Sequence, residues 1–499
     1  MKQFKFCVFS KNKTYFKTAA GFFTIKSLTV FILITFTFLC FIINPWQAYA
    51  SVTTSSDMSS QNNSSENMAE VLGIDAEGFV LMDSHTGIIL CSDGMDKKRI
   101  YPASTTKIMT AIVALENKSL DTVMTASQAA VYDIGDGGMN IGIMAGEELT
   151  LWDLLHAMLI CSANEAANII AENVASSRDE FINMMNERAK ELGATDTHFV
   201  NTNGMHHEDH YTTAKDMAII AQHAMSIPAF REIVRKDSFS MPPTNKHKTW
   251  DPLYTTNRFL RYGTSSDCNF EIIGIKTGFT TPAGHNLVTA AVDENGMELI
   301  SVVLGVKTSR AWEDVYKYTE KLLKYGFNNF SLKKLIDENA HVATVSVENA
   351  KDNLALDLVT DQSIVGIIPK VLADDYSENI NMSENLNSSE LNSKSELTVF
   401  SSNNWNVVKK VHLKPVISAP ISEGEILGYV EFLIGDTVIG TANLIAANSI
   451  EMEIPLYNKF KSSLLFKIIR TSAIVLMSFI LLRTILRIIS RKVNSRRKR

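Results

Sequence analysis

The sequence predicts an α+β domain, with helices packed on an antiparallel sheet, followed by a small all-β domain and a C-terminal membrane helix. Three observations support this fold class. Strand-like segments flank a run of helical segments between residues 69 and 330, an order typical of α+β domains. Short strand-like segments separated by polar turns fill residues 331–457. A mostly apolar segment with basic flanks, residues 464–489, comes after them.

The first fifty residues form a basic and apolar leader that indicates export. They contain six lysines and no acidic residue, and an apolar run at 28–43 precedes the small residues Ala48 and Ala50. This pattern is that of a secretory signal peptide with a long basic leader. An uncleaved membrane anchor is the alternative, although the apolar run is short for a span. We therefore predict a signal peptide over residues 1–50 and an exported body.

The body opens with residues 51–68, whose Ser, Asn and Thr content predicts a disordered spacer. A hairpin is then predicted from strand-like segments at 79–82 and 88–91. The next helix, 105–115, is apolar on nearly all sides and should be buried. Further segments continue the domain: helices at 126–132, 151–160, 164–175, 178–192 and 214–224, strands at 270–275, 286–292 and 298–306, and a helix at 312–325.

Two local signals set the turns at the end of this domain. Asn295-Gly296 lies between two strand-like segments and is a strong hairpin signal. Gly326 directly follows the last helical segment and is a plausible C-cap. We therefore expect an antiparallel strand pair around residue 295 and a helix that ends at Gly326.

Residues 331–457 carry no long helical pattern and are predicted to form a separate all-β domain. Six short strands are predicted, at 342–347, 354–359, 364–368, 407–413, 426–433 and 437–443. The stretch 374–396 is rich in Ser, Asn and Glu and is predicted to be a flexible insert.

The C-terminal segment 464–489 carries its charges near its two ends. Lys467 and Arg470 point about opposite to Arg483 and Arg487 when residues are spaced at roughly 100° on a helix. An interfacial amphipathic helix would collect its charges on one face, whereas a spanning helix tolerates them at both ends. We predict a transmembrane helix with residues 490–499 as a basic cytoplasmic tail. An amphipathic helix is the alternative, because the uncharged centre is only 12 residues long.

Charge and cysteine content exclude two classes of protein. The chain has 48 basic and 54 acidic residues. Residues 1–50 hold 6 of the basic ones and residues 459–499 hold 12, and neither segment has an acidic residue. The body between them therefore has 30 basic and 54 acidic residues, a net charge of −24, which argues against nucleic-acid binding. Outside the leader the chain keeps Cys91, Cys161 and Cys268. An odd number of cysteines argues against a disulfide scaffold.

Ser104 and Lys107 are the first pair of residues that carry chemistry. They lie three positions apart at the start of the predicted buried helix, so they share one helix face. A partly desolvated lysine can remove the proton of a hydroxyl and make it a nucleophile. The Ser-x-x-Lys spacing alone also arises by chance in many proteins.

Ser162 and Asn164 lie in a turn between two helical segments, where both side chains can face one cleft. The hydroxyl can relay a proton, and the carboxamide can bind a substrate carbonyl. Both residue types also favour helix ends, so an ordinary cap is the alternative.

Lys276, Thr277 and Gly278 follow the strand-like segment 270–275. A lysine and a hydroxyl at a strand edge suit a substrate carboxylate, and Gly278 lets another backbone approach closely. A solvated strand end is the alternative for this motif in isolation.

In this order the three motifs resemble the signature of active-site serine penicillin-recognising enzymes. Their surroundings resemble more closely the low-molecular-weight D-alanyl-D-alanine carboxypeptidases, peptidase family S11; the segments that carry this similarity are 101–111, 199–204, 213–217 and 275–284. The resemblance covers about residues 67–330 and extends loosely through the β domain. Ala163 replaces the family's commoner glycine and Glu165 an aspartate. The resemblance implies a penicillin-binding/β-lactamase-like transpeptidase fold for the first domain.

The resemblance also implies a mechanism. Ser104 would attack the carbonyl between two D-alanines of a peptidoglycan stem peptide, and Lys107 would accept its proton. Ser162 would pass the proton toward the leaving amine, and Asn164 would position the acyl chain. Water would then hydrolyse the acyl-enzyme, and β-lactams, which mimic the dipeptide, would acylate the same serine. No cofactor is implied.

The remaining implied roles concern binding. Lys276 and Thr277 would hold the terminal carboxylate of the substrate. The backbone amides of Ser104 and of Phe279, next to Gly278, would form the oxyanion hole. The family is also exported and held by a C-terminal membrane segment, as both ends of this chain indicate. We therefore expect an enzyme of cell-wall biogenesis on the extracytoplasmic face of the bacterial cell membrane.

Two other groups of residues could form functional sites, but we prefer a structural interpretation for each. The first is a dense run of potential metal ligands, made up of His206, His207, Glu208, Asp209 and His210. We predict that this run forms a solvated polar loop rather than a metal site. Cys161 could be a reactive thiol, but a packed helix end is the preferred interpretation.

Two other functions compete with the carboxypeptidase. A class A serine β-lactamase needs a Glu-x-x-Leu-Asn loop to activate the deacylating water, and none occurs between Ser162 and Lys276. The β domain and the C-terminal anchor also disfavour that function. A catalytically silent wall-binding protein would be free to lose one of the three motifs, and all three are intact.

Overall fold

The structure, a computed structural model, describes residues 68–95, 97–370, 396–402, 405–435, 437–453 and 460–496. The predicted signal peptide, all but the last residue of the predicted spacer, nearly all of the predicted insert 374–396 and the last three residues of the tail lie outside these ranges.

The first domain alternates short strands and helices before its long strands begin. Its elements in chain order are α1 (Met68–Leu72), β1 (Gly78–Asp83), β2 (Ile89–Ser92), a 3₁₀ turn (Ala103–Thr106), α2 (Lys107–Asn117), β3 (Val123–Thr125), α3 (Gln128–Tyr132), β4 (Glu148–Thr150), α4 (Leu151–Ile160), α5 (Asn164–Val174), α6 (Arg178–Glu191), α7 (Ala214–Ser226), α8 (Pro228–Val234), β5 (Ser238–Phe239), β6 (Leu253–Tyr254), α9 (Arg258–Tyr262), β7 (Phe270–Thr280), β8 (Gly284–Asp293), β9 (Glu298–Val306) and α10 (Ala311–Asn329).

Five strands form the central antiparallel sheet, in the order β2-β1-β9-β8-β7. Successive side chains of a strand point to opposite faces, and β1 shows how this sheet is covered. Val80 and Met82 pack with the core of α2 and α4–α8 on one face, whereas Phe79 and Leu81 pack with α10 on the other. The predicted α+β architecture is confirmed.

Helix α2 lies at the centre of the larger core. Every residue from Lys107 to Ala114 is buried, as its apolar surface on all sides predicts. The hairpin signal at Asn295-Gly296 is also confirmed, because β8 and β9 pair antiparallel around it. Helices α8 and α9 were not predicted; each is shorter than two full turns.

The prediction that Gly326 caps a helix is wrong. Helix α10 continues through it to Asn329. A Cβ atom at Gly326 would lie 2.4 Å from Cδ1 of Leu299 and 2.8 Å from Cδ2 of Leu81. The glycine is therefore needed inside the helix, because it lets α10 approach the sheet.

The second domain is all-β. It contains β10 (Phe330–Ile336), β11 (His341–Ser346), a 3₁₀ turn (Lys351–Asn353), β12 (Ala355–Thr360), β13 (Ile364–Pro369), β14 (Glu396–Ser402), β15 (Trp405–Leu413), β16 (Ile426–Ile434) and β17 (Thr437–Ala446). Six strands form one sheet in the order β11-β12-β17-β16-β15-β14, and β10 pairs with β13. All six predicted strands are present. Strands β10 and β14 are additional, and β14 begins at Glu396, the last residue of the predicted insert.

The chain ends in helix α11 (Leu464–Arg496). Its segment Leu464–Ser490 is long and apolar enough to cross a membrane, and none of its apolar window is buried against the rest of the described protein. This agrees with the predicted helix at 464–489 in extent and composition.

Candidate active site

Ser104 lies in the 3₁₀ turn that leads into α2. Ala103, just before it, has a φ of 47°, a left-handed conformation that is strained for a residue with a side chain. The turn is held by hydroxyl groups: Thr105 Oγ1 donates to Pro102 O at 2.7 Å, and Thr106 Oγ1 donates to Ala103 O at 2.8 Å. The position of Ser104 therefore depends on a small buried hydrogen-bond network.

Lys107 connects the first two motifs. Its Nζ atom lies 3.0 Å from Ser104 Oγ, 2.7 Å from Asn164 Oδ1 and 2.6 Å from the carbonyl oxygen of Asn203. Burial, together with the charge of Lys276, holds the pKa of Lys107 well below its usual value. A neutral amine here can donate its two hydrogens to the two carbonyl oxygens and turn its lone pair toward the Ser104 hydroxyl. This is the arrangement that a general base requires.

Ser162 and Asn164 do not act as helix caps. Ala163 is the N-cap residue of α5, and no side-chain cap bond is present there. Asn164 accepts from Lys107 and donates through Nδ2 to Ile134 O at 2.9 Å, so its amide is bound on both sides. Ser162 has a φ of 62°, a strained conformation of the kind that is concentrated at functional sites. The cap alternative is therefore wrong for these residues.

Lys276, Thr277 and Gly278 lie inside β7, not at its end, because the strand continues to Thr280. Lys276 is buried and donates from Nζ to Ser162 Oγ at 3.0 Å. Burial lowers its pKa to about 7. The third motif is thereby joined to the second, and the solvated-strand alternative is wrong for Lys276.

Strand β7 runs close beside the turn that carries the serine. A Cβ atom at Gly278 would lie 3.2 Å from the backbone nitrogen of Ser104 and 3.0 Å from the carbonyl oxygen of Pro102. Only glycine fits without a shift, as the sequence predicts. Phe279 follows and is 56% exposed, and the centre of its ring lies 4.5 Å from that of His285. An oxyanion hole from the amides of Ser104 and Phe279 requires this proximity of strand and turn.

His210 is a residue of this site that the sequence analysis missed. It is buried, unlike its exposed neighbours in the predicted polar loop. Its Nδ1 accepts from Val200 N at 3.0 Å, so its ring proton lies on Nε2 and is donated to Thr106 Oγ1 at 2.7 Å. Burial lowers the pKa of His210 to about 3, so the ring is neutral. The solvated-loop prediction is therefore wrong for His210.

The same loop also supplies two backbone contacts to the site. Asn203 provides the carbonyl oxygen that Lys107 binds. Gly204 has a φ of 88°, and a Cβ atom there would lie 1.9 Å from the carbonyl oxygen of Ala103. Among the residues the structure describes, no group of three or more potential ligands could hold a metal ion.

Glu165 stabilises a second loop, residues 139–142, which also accepts a bond from the backbone nitrogen of Asn164. Its Oε1 accepts from the backbone nitrogens of Ile141 at 2.6 Å and Gly142 at 3.3 Å. Burial raises the pKa of Glu165, and these backbone bonds oppose that rise. Its charge also acts against the lowered pKa of Lys107. Glu165 therefore combines loop support with an electrostatic effect on the amine.

Cys161 is not an activated thiol. Burial raises its pKa, whereas reactive cysteines have lowered values. Its Sγ lies 3.5 Å from the carbonyl oxygen of Tyr254. The interpretation as a packed residue at a helix end agrees with this geometry.

Two family models match the chain. One describes D-alanyl-D-alanine carboxypeptidases and covers residues 62–308; the other describes the C-terminal domain of penicillin-binding protein 5 and covers residues 387–452. The chain is 30% identical over 363 residues to the D-alanyl-D-alanine carboxypeptidase DacF of Bacillus subtilis, which is 72% of this chain and 81% of that relative. It is 28% identical over 395 residues to DacC of Escherichia coli, which is 77% of this chain and 87% of that relative.

Two solved structures share the fold. Penicillin-binding protein 5 of Haemophilus influenzae is 26% identical, with a TM-score of 0.55 over 76% of this chain and 98% of that one. A peptidoglycan synthesis regulatory factor (PBP3) of Streptococcus pneumoniae is 25% identical, with a TM-score of 0.59 over 76% of this chain and 100% of that one. The similarity thus extends over both domains.

Proposed function

Since the chain belongs to the D-alanyl-D-alanine carboxypeptidase family of serine peptidases, family S11, we propose that Ser104 is its nucleophile. The enzyme is a penicillin-binding carboxypeptidase of peptidoglycan metabolism, and it removes the terminal D-alanine from pentapeptide stems. The observation that carries the site assignment is the contact of Lys107 with Ser104 Oγ, Asn164 Oδ1 and Asn203 O.

In the acylation step, neutral Lys107 takes the proton of Ser104 as its Oγ attacks the carbonyl carbon between the two D-alanines. The tetrahedral oxyanion binds the amides of Ser104 and Phe279, where preorganised donors stabilise developing charge. Asn164 orients the acyl part of the peptide. Support comes from the approach of Gly278 to the turn, which brings the strand and the Ser104 amide together.

In the departure step, the peptide bond breaks, and the proton that Lys107 took from Ser104 passes through Ser162 to the leaving amine. Lys276 and Thr277 hold the carboxylate of the departing D-alanine. The bond between Lys276 Nζ and Ser162 Oγ supports a shared role for the two residues. Water then hydrolyses the ester at Ser104; the water gives up a proton to Lys107, and Lys107 returns a proton to Ser104 Oγ.

A Ser104→Ala variant tests this assignment, with Ser84→Ala as its matched control, since Ser84 bonds Glu298. Mass spectrometry should show the loss of one alanine from a D-Ala-D-Ala pentapeptide with the wild type and the control, and no loss with Ser104→Ala. A fluorescent penicillin should label the same two proteins. If Ser104→Ala still labels, another residue is the nucleophile.

The rate of deacylation separates this function from that of a β-lactamase. Slow release of a stable penicilloyl-enzyme supports the carboxypeptidase, and rapid turnover of penicillin contradicts it. A silent wall-binding protein would neither label nor release alanine. The absence of a Glu-x-x-Leu-Asn sequence between Ser162 and Lys276 favours slow deacylation.

We further propose that the enzyme is exported and anchored by α11 to the extracytoplasmic face of the membrane. The length and apolar composition of Leu464–Ser490 support this placement. Deletion of residues 464–499 should release the protein into the medium. Retention at the membrane would instead assign the anchor to the N-terminal leader.

A further inference from the structure

An exposed group of arginine and aromatic side chains is connected by hydrogen bonds to Thr277 in the active site. Tyr254, Tyr262 and Trp312 are 53%, 69% and 49% exposed. The guanidinium carbon of Arg258 lies 4.6 Å from the ring centre of Trp312, and that of Arg261 lies 5.3 Å from the ring centres of Tyr254 and Tyr262. These five residues are called the arginine–aromatic patch below.

The two arginines of the patch have no acidic partner among the residues the structure describes. Other arginines of this domain do: Arg178, Arg188 and Arg231 all form ion pairs. Acidic residues of neighbouring elements bind elsewhere: Glu313 to Arg310, Asp314 to Thr308, Glu320 to Ser265 and Asp267 to Lys324. The patch therefore offers two available cations on a body whose net charge is strongly negative.

A chain of hydrogen bonds connects the patch to the active site. The backbone nitrogen of Arg258 donates to Tyr316 Oη at 3.2 Å, and this hydroxyl donates to the carbonyl oxygen of Thr256 at 3.3 Å. The hydroxyl of Thr256 bonds that of Thr277 at 2.7 Å. The patch is consequently connected to Thr277, the residue that is assigned to the terminal carboxylate.

We propose that the arginine–aromatic patch binds a peptidoglycan strand adjacent to the stem peptide that is being cleaved. This rests on the proposed function. Such a strand bears peptides that end in carboxylates, for which arginine has the matching two-pronged geometry. Its sugar rings have apolar faces that can stack on Tyr and Trp rings. Arginine, tyrosine and tryptophan are also the residue types that contribute most to binding surfaces.

A lipid surface would fit the patch less well. Membrane-binding surfaces insert apolar side chains into the acyl boundary. Here Phe259, on the same helix, is buried in the core, and the exposed rings of the patch lie against guanidinium groups. The polymer that carries the substrate is therefore the favoured occupant.

The test uses the full-length protein in detergent and a double variant, Arg258→Gln with Arg261→Gln. The backbone bond of Arg258 to Tyr316 is retained in this variant. The matched control is Arg235→Gln with Arg310→Gln, which removes the same charge from exposed arginines whose partners are Glu271 and Glu313. Thermal unfolding of all three proteins checks that the fold is retained.

With a soluble D-Ala-D-Ala pentapeptide, all three proteins should release alanine at similar rates. With insoluble pentapeptide-rich peptidoglycan, the double variant should bind less well than the wild type and the control, so that at least about tenfold less of it sediments with the wall. Its release of alanine from this insoluble substrate should fall by a similar factor. Added salt should weaken the binding of the wild type more than that of the double variant, because screened charges contribute less.

The proposal is overturned if the double variant sediments like the wild type, or if the control loses binding equally. It is also overturned if the double variant keeps its wall binding but loses retention on beads that carry phosphatidylglycerol, since the patch would then be a membrane contact. Failure of the carboxypeptidase function would show separately, as no release of alanine from the soluble pentapeptide by any of the three proteins.

Discussion

Replacement of His210 tests whether the turn that carries Ser104 is held from outside the three motifs. His210→Phe keeps a ring of similar size and removes both hydrogen bonds, to Val200 N and to Thr106 Oγ1. His210→Gln keeps one donor and one acceptor on a flexible chain. We expect the phenylalanine variant to lose most of its acylation rate and the glutamine variant to recover much of it.

The magnitude follows from the groups that are left without a partner. In His210→Phe, Val200 N loses the acceptor of its partly buried bond and Thr106 Oγ1 loses its donor, although Thr106 keeps its own bond to Ala103 O. An unsatisfied buried polar group costs about 1–3 kcal/mol, so the free energy of unfolding should fall by about 2–4 kcal/mol. A displacement of about 1 Å at Ser104 would lower the acylation rate by up to about 100-fold.

The assay is the acylation rate of Ser104 by a fluorescent penicillin, measured beside denaturant unfolding. Thr360→Val is the matched control, because the buried hydroxyl of Thr360 also donates one bond, to Asp337 O, and accepts one, from Ala340 N, but in the β domain. The control should lose stability without losing acylation rate. If His210→Phe loses stability and still acylates at the wild-type rate, His210 only supports the fold and the reasoning is refuted.

The remaining predictions concern pH and packing. The pKa of His210 is about 3 in the folded protein and about 6.5 when unfolded, so unfolding takes up a proton as the pH falls below 6.5. Between pH 7 and pH 5 the free energy of unfolding of the wild type should therefore fall by about 2 kcal/mol more than that of His210→Gln. Equal losses for the two proteins in urea titrations would contradict this prediction. Burial lowers the pKa of Lys276 to about 7, so kcat/KM should decline above that pH, because the terminal carboxylate of the substrate loses its proposed cationic partner. The Lys276→Arg variant should show a weaker decline, since arginine stays charged. A pH–rate profile that is the same in this variant would contradict the proposed role of Lys276. Gly326→Ala should lower the free energy of unfolding by about 1–3 kcal/mol, because its Cβ would overlap Leu299 and Leu81, and an unchanged denaturation midpoint would show that α10 can shift away.

Much of the fold follows from local patterns in the sequence. The antiparallel pair around Asn295-Gly296 and the buried helix α2 were predicted from turn chemistry and apolar periodicity alone. The error at Gly326 shows where local patterns stop. A glycine directly after a helical segment is a common helix end, but here the close approach of Leu81 and Leu299 to α10 requires it. That contact is made by distant strands, so no nearby residue signals it.

Only part of the site was predicted from the sequence, again because local patterns do not show contacts between residues that are distant along the chain. Ser104 and Lys107 share a helical turn, so their contact follows from spacing. The contacts Lys107–Asn164 and Lys276–Ser162 join residues 57 and 114 positions apart, and only the resemblance to a family suggested that they meet. His210 lies in a run of polar residues without periodicity. Its burial depends on how that run folds against the serine turn, which sequence spacing does not encode.

The two buried lysines bear on the proposed roles of Lys107 as a base and of Lys276 as a carboxylate-binding residue. Two ammonium groups in one desolvated site repel each other, and the charge of Lys276 helps to lower the pKa of Lys107. A carboxylate placed beside Lys276 favours its charged form. In the proposed mechanism, binding of the terminal carboxylate would stabilise the cation at Lys276, and the charge of Lys276 lowers the pKa of Lys107. We therefore expect the protonation states of Lys276 and Lys107 to be coupled through this electrostatic interaction.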